Sequence, residues 1–74
     1  MYFAVLIDMK VRMLKDVLVE LGKPRLDEVW DKQLRRWDEI VVEKIDEAGN
    51  FAHLTTFEGD VYLHVPLKSF EVIS

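Results

Sequence analysis

The stretch Pro24-Arg25-Leu26-Asp27-Glu28-Val29-Trp30-Asp31-Lys32-Gln33-Leu34-Arg35-Arg36-Trp37-Asp38-Glu39-Ile40-Val41 decides the fold, because its apolar residues recur with a helical period. Wound at about 100° per residue, Leu26, Val29, Trp30, Leu34, Trp37, Ile40 and Val41 fall within an arc of about 140°. The charged residues from Asp27 to Glu39 lie outside that arc, and only Gln33 intrudes on it. Pro24 suits a first helical position, where its missing N–H costs nothing. Asp27 and Glu28 would complement the positive end of the helix dipole. An amphipathic helix is expected over about 25–38.

Upstream, residues 9–21 read in two ways. As a helix, Val11, Met13, Leu14, Val17, Leu18 and Leu21 share a face, with Asp8 as cap and Gly22 as terminator. As a strand, Met9, Val11, Met13, Val17, Val19 and Leu21 alternate, broken only by Lys15, and the alternation runs back through Ile7, Val5 and Phe3. Periodicity does not separate these readings. The apolar run Met1–Ile7 stops at Asp8 and lacks a basic flank, so it reads as structure rather than as a targeting peptide.

Downstream the signals turn to β. Ile40–Ile45 is β-branched and is followed by the turn-forming Asp46-Glu47-Ala48-Gly49-Asn50. Phe51–Phe57 and Val61–Leu67 flank Glu58-Gly59-Asp60, a hairpin connection with Gly59 expected at positive φ. With Glu58-Gly59 as the loop, Ala52 faces Val65, Leu54 faces Leu63 and Thr56 faces Val61. Pro66 should end its strand, and Lys68-Ser69 should turn the chain into a last strand, Phe70–Ile73.

Trp37-Asp38-Glu39-Ile40-Val41-Val42-Glu43-Lys44-Ile45 resembles the strand after the diverging turn of an SH3-like barrel. The tail from Gly59 to Ile73 is similar to the end of that fold, where a hairpin strand leads through a proline and one 3₁₀ turn to an aromatic and a closing strand. The resemblance covers about half the chain and concerns fold alone. It implies a partial barrel with the helix of 25–38 inserted in a long loop. It places Pro66 and Phe70 where peptide-binding members carry their groove proline and aromatic. The tyrosine-rich N-terminal motif and the paired tryptophans of those members have no counterpart, since the third strand opens Phe51-Ala52-His53-Leu54.

Composition bounds the function. The chain has 74 residues, no cysteine and a net charge of −4. The absence of cysteine removes disulfides, thiolate zinc sites and a thiol nucleophile, and points to a reducing, cytoplasmic setting. Residues 1–37 carry 8 basic and 6 acidic side chains, whereas residues 38–74 carry 2 and 8. Such a β half repels a phosphate backbone. Only Lys10, Arg12, Lys15, Lys23, Arg25, Lys32, Arg35 and Arg36 could attract one. Apolar residues make up 50% of the chain, more than so small a domain can bury, which favours a protein partner or a second copy.

Candidate chemistry is sparse. His53 and His64 face each other across the expected hairpin, within reach of a shared proton or metal, but two imidazoles without a third ligand make a poor zinc site. Trp30, Leu34 and Trp37 form a stripe that suits a core, or a binding hot spot beside Arg35 and Arg36. Ser69 lacks a located base, and Gly22, Gly49 and Gly59 are isolated turn glycines. The acids at Glu43, Asp46 and Glu47 lack the spacing of a calcium loop.

The sequence thus leads to one α+β domain over 1–74: a small curved antiparallel sheet, an SH3-like partial barrel being one form of it, with one amphipathic helix. The alternative fold is an N-terminal strand, two helices and a three-stranded meander. The expected role is a non-enzymatic protein–protein interaction module or small regulatory subunit. It needs no cofactor, metal or membrane and has no catalytic residue. The partner surface is expected to comprise Phe51, His53, Phe57, Tyr62 and His64. A nucleic-acid-associated barrel using the basic N-terminal half is the second reading.

Overall fold

The structure is a computed structural model that describes residues 9–74. The expectations for Met1–Ile7, including the alternation through Phe3, Val5 and Ile7, fall outside those residues. Eight strands follow in order: β1 Met9–Met13, β2 Val17–Lys23, β3 Glu28–Leu34, β4 Glu39–Val42, β5 Lys44–Ala48, β6 Phe51–Thr55, β7 Val61–Pro66 and, after a 3₁₀ turn at Leu67–Ser69, β8 Phe70–Val72. They form a three-stranded sheet, β4-β1-β8, and a five-stranded sheet, β3-β2-β7-β6-β5, with every pairing antiparallel.

The α+β expectation is therefore corrected, because no amphipathic helix exists over 25–38. Residues 28–34 pair with 17–23 through an unbroken ladder from Val17 opposite Leu34 to Lys23 opposite Glu28. Of the expected helical stripe only Leu34 is fully buried, while Leu26, Val29, Trp30, Trp37 and Val41 stay exposed. The residues that suggested a helix start serve the hairpin loop instead. Pro24 presets the turn, Leu26 N–H donates to Lys23 O (3.0 Å), and Asp27 takes φ +51, which a short polar side chain tolerates. A helix here would also leave β2 without the neighbour that its outer backbone groups require. The two-helix alternative fails likewise, since residues 9–21 form two strands separated by a bend at Leu14–Asp16.

The SH3-like partial barrel is not found either. The strands lie in two sheets with no closed barrel, and the segment that would have been an inserted helix is the β2–β3 arm. The chain crosses between the sheets at Glu43: β4 pairs with β1, β5 pairs with β6, and Glu43 N–H donates to Thr55 O (2.7 Å) at the junction.

The core lies between the sheets. Val11, Met13, Val42 and Phe70 on one side meet Val19, Leu34, Ala52, Leu54 and Val65 on the other, with Ile45, Tyr62 and Leu67 packed around them. The odd-position alternation of residues 9–21 survives as Val11, Met13, Val19 and Leu21, all buried. Ser69 is buried beneath this cluster and donates its hydroxyl to Pro66 O (2.6 Å), which fixes the 3₁₀ turn.

The turns follow their residues. Gly49, at φ +66, occupies the first position of the two-residue β5–β6 turn, where a II′ geometry demands it. Gly59, at φ +89, closes the β6–β7 loop after Gly59 N–H donates to Thr56 O (3.1 Å). The hairpin therefore turns through Phe57-Glu58-Gly59 rather than through Glu58-Gly59 alone.

Two stability outcomes follow. Leu34→Asp places a carboxylate in a site that is 2% exposed, and it should lower stability by more than ~3 kcal/mol. That is a large share of the stability of a chain this size, about 4–11 kcal/mol, so the denaturation midpoint should fall sharply. Gly59→Val should cost at least ~1 kcal/mol in the same assay, because a β-branched residue strains at that φ.

Candidate functional site

The outer face of the five-stranded sheet brings exposed aromatic and apolar side chains together. Its composition is set by one irregularity. Ala52 opposes Val65 as the alternation requires, but beyond His53 the register shifts, so Leu54 opposes Tyr62 and Thr55 opposes Val61. His64 absorbs the extra residue at φ +54. The shift turns the following residues over. Val61 and Leu63 join the outer face, in rows with Val29 and Gly22 and with Asp31 and Glu20. Tyr62 instead enters the inner row Trp30–Leu21–Tyr62–Leu54–Ile45.

Phe51, His53 and His64, three of the five expected partner-surface residues, come together on the outer face. The His53 and His64 rings meet edge to face at 5.0 Å, and Phe51 meets His64 in the same manner at 6.1 Å. Among the described residues no three His, Cys, Asp or Glu side chains converge as metal ligands. Tyr62 and Phe57 are placed apart from this cluster. Tyr62 packs against the core, and Phe57 sits in the hairpin turn; both border a cleft with Glu39, Glu58 and Asp60. Burial, with the Asp60 carboxylate close by, pushes the Tyr62 phenol above its usual pKa, while Lys23 acts in the opposite sense.

The cluster is continuous with two neighbouring features that the sequence did not single out. On one side, Leu18, Leu63 and His64 line a hollow of about 250 Å³. On the other, Phe51 forms a wall of a groove of about 410 Å³ with Pro66, Leu67, Asn50 and the stems of Lys15 and Lys68. The groove exists because Leu67 N–H donates to Asn50 O (3.0 Å) and Leu14 N–H donates to Ser69 O (2.7 Å), which draws three turns to one end of the sheet. A groove lined by Phe51, Pro66 and Leu67 together with two lysines suits a carboxylate beside an apolar side chain. Of the groove residues the sequence had singled out Phe51, as partner surface, and Pro66, by its resemblance to a groove proline; Lys15 and Lys68 are distant in sequence and meet only through the fold.

The basic N-terminal half does not form one patch. Lys10 and Arg12 pair with Glu39 (3.7 and 3.2 Å), Arg12 also with Glu71 (3.7 Å), and Lys23 with Asp60 (3.0 Å). The first three pairs are half exposed and add little stability. They nonetheless neutralise cations that a phosphate backbone would need. Arg36 lies instead over the Trp37 ring at 4.5 Å.

The Tyr62 environment has a spectroscopic consequence. Subtracting the ultraviolet titration of Tyr62→Phe from that of the native chain should isolate a phenol ionising above 10.0. Because the folded pKa is raised, the stability associated with Tyr62 is complete below the unfolded value and is lost as pH rises through the folded one. The native chain should therefore lose more stability than Tyr62→Phe between neutral pH and pH 11 or so. A difference curve centred at or below 10.0 would contradict the burial.

Compared with protein-family models, with curated proteins and with solved structures, the chain matches none. What the outer face can do is therefore argued from its own chemistry.

Proposed function

We propose that the chain is a non-enzymatic protein-binding module, a small regulatory or accessory subunit, that holds an extended segment of its partner on the outer face of the five-stranded sheet. The observation that carries this reading is the aromatic row Phe51–His64–His53, which opens onto the groove between Lys15 and Lys68. Phe51 is 44% exposed although it lies within a strand, so its ring is available to a ligand without rearrangement. The recognised segment pairs an apolar side chain, seated against Phe51, Pro66 and Leu67, with an acidic residue answered by the lysines. A cytoplasmic location belongs to the same proposal and rests on the absence of cysteine. For a membrane, the structure offers only the statement that no helix among the described residues is long and apolar enough to cross one. Ser69, the serine that a hydrolytic reading would need, spends its hydroxyl on Pro66 O in the interior.

Panning a displayed random-peptide library against the native chain should enrich sequences with Asp or Glu next to an apolar residue. Enriched peptides should bind Phe51→Ala and Lys68→Glu roughly ten-fold more weakly, the scale of one moderate hot-spot contact. Both positions are exposed, so matching circular dichroism should accompany the loss. Equal binding to the variants would refute the site. Retention on a DNA resin at low salt, without peptide enrichment, would favour the nucleic-acid reading.

A further inference from the structure

The β2–β3 arm carries a second unpartnered surface, distinct from the Phe51 cluster. Among the described residues β3 hydrogen-bonds only to β2, so alternate backbone groups along its other side have no strand partner among them. From Glu28 to Gln33 every residue is exposed, including Val29 at 59% and Trp30 at 48%.

What fits this edge follows from symmetry and charge. A two-fold axis perpendicular to a sheet keeps each face on its own side, so a strand paired with its own copy must set residues of one face opposite each other. Only registers centred on a single residue qualify. Centring on Asp31 would align four carboxylates, because Glu20 already opposes Asp31 within each arm. Centring on Lys32 opposes two ammonium groups, and centring on Val29 opposes Asp27 and Asp31. Centring on Glu28 opposes two carboxylates and centring on Gln33 pairs only residues 32–34 of the strand, whereas centring on Trp30 pairs residues 28–32 of β3 with no like charges opposed. Trp30 then meets the partner's Trp30, and Glu28 meets the partner's Lys32 twice.

We propose that two copies of the chain pair antiparallel along β3, Trp30 against Trp30 across a two-fold axis, with Glu28 of each copy facing Lys32 of the other. Leu21 opposes Trp30 within each arm, so the pairing completes an apolar row Leu21–Trp30–Trp30–Leu21 across the junction. Each Trp30 ring is already positioned. Its Nε1 donates to Glu28 Oε2 (2.6 Å) and Lys23 Nζ lies 4.5 Å from its centroid, which lowers the entropy lost on association. Cross-strand aromatic pairs and opposite charges are the contacts that stabilise such junctions.

Sedimentation equilibrium at roughly 100 μM tests the pairing, a concentration at which a micromolar dimer is essentially complete. The native chain should be dimeric. Glu28→Lys and Lys32→Glu should each dissociate at least ten-fold more readily, because each opposes like charges twice. An equimolar mixture of the two variants should dimerise again, since every Lys then faces a Glu, and so should the double variant carrying both changes in one chain. The substituted side chains are exposed, so circular dichroism should stay unchanged. Should a reversal unfold the chain, Glu28→Gln and Lys32→Gln replace it: each should weaken the dimer, and mixing them should recover part of the loss, because the mixed dimer regains one of the two Glu28–Lys32 pairs. A monomeric native chain, a dimer indifferent to the substitutions, or reversed variants that stay apart when mixed would each overturn the proposal. None of these outcomes bears on peptide binding, because Phe51, Lys15 and Lys68 are untouched.

Discussion

The backbone of His64 stands at φ +54 in the middle of a paired strand, and the two faces of the larger sheet depend on it. A side chain in that region costs roughly 1–2 kcal/mol relative to extended backbone, so the surroundings must hold it there. They do so from both ends. Val65 is fully buried opposite Ala52, and Leu54 is fully buried opposite Tyr62. Those two pairs lie one residue out of step, and only an extra residue between them lets both be satisfied. The strain at His64 is thus offset by letting Val65 and Tyr62, three residues apart on one strand, both face the core, which a regular strand could not do. The same step sends Leu63 outward beside the histidines and brings Tyr62 in over the core.

The β2–β3 arm obeys a different balance. Its inner residues Val19, Leu21 and Leu34 are buried, but its outer residue Leu18 and most of β3 are not. Little apolar burial holds β3 in place. Its stability comes from the seven-residue ladder with β2 and from ties at its base, where Trp37 N–H donates to Met13 O (2.8 Å) and Arg36 N–H donates to Asp16 Oδ1 (2.7 Å). Segments with few buried contacts open first in local unfolding. Amide exchange in β3 is accordingly expected to be faster than in β6, whose Ala52 and Leu54 are wholly enclosed.

This difference explains which parts of the chain were readable. In β6 the interior selects one residue in two, so alternation in the sequence mirrors burial. That alternation puts Ala52 and Leu54 inside, with Val65 opposite Ala52, and the missing N–H of Pro66 marks a strand end. In β3 the interior selects only Leu34. The remaining positions were free to carry any pattern, and the helical spacing of Leu26, Val29, Trp30 and Trp37 records no burial. Periodicity reports structure only where a core enforces it. The meeting of Phe51, His53 and His64 was legible from alternation alone. The separation of Tyr62 was not, because a positive φ at histidine leaves no mark comparable to a glycine.

Half of this chain is apolar, and the structure leaves Leu18, Leu26, Val29, Trp30, Trp37, Phe51 and Phe57 among the exposed side chains. Single exposed apolar residues need no explanation, but contiguous ones do. Here they gather on the arm and on the outer face, and the arm spans both. Val29 belongs to the outer face while Trp30 points to the inner one. Antiparallel pairing about an axis perpendicular to the sheet leaves both outer faces on the same side of one ten-stranded sheet. Each Phe51–His64 cluster would then have its symmetry mate facing the same way. A ligand with two acidic-apolar segments could engage both, and the second contact would form at the effective concentration set by the linker between segments rather than by free diffusion. If the arm self-pairs as proposed, partner binding on the outer face would be coupled to it through β2.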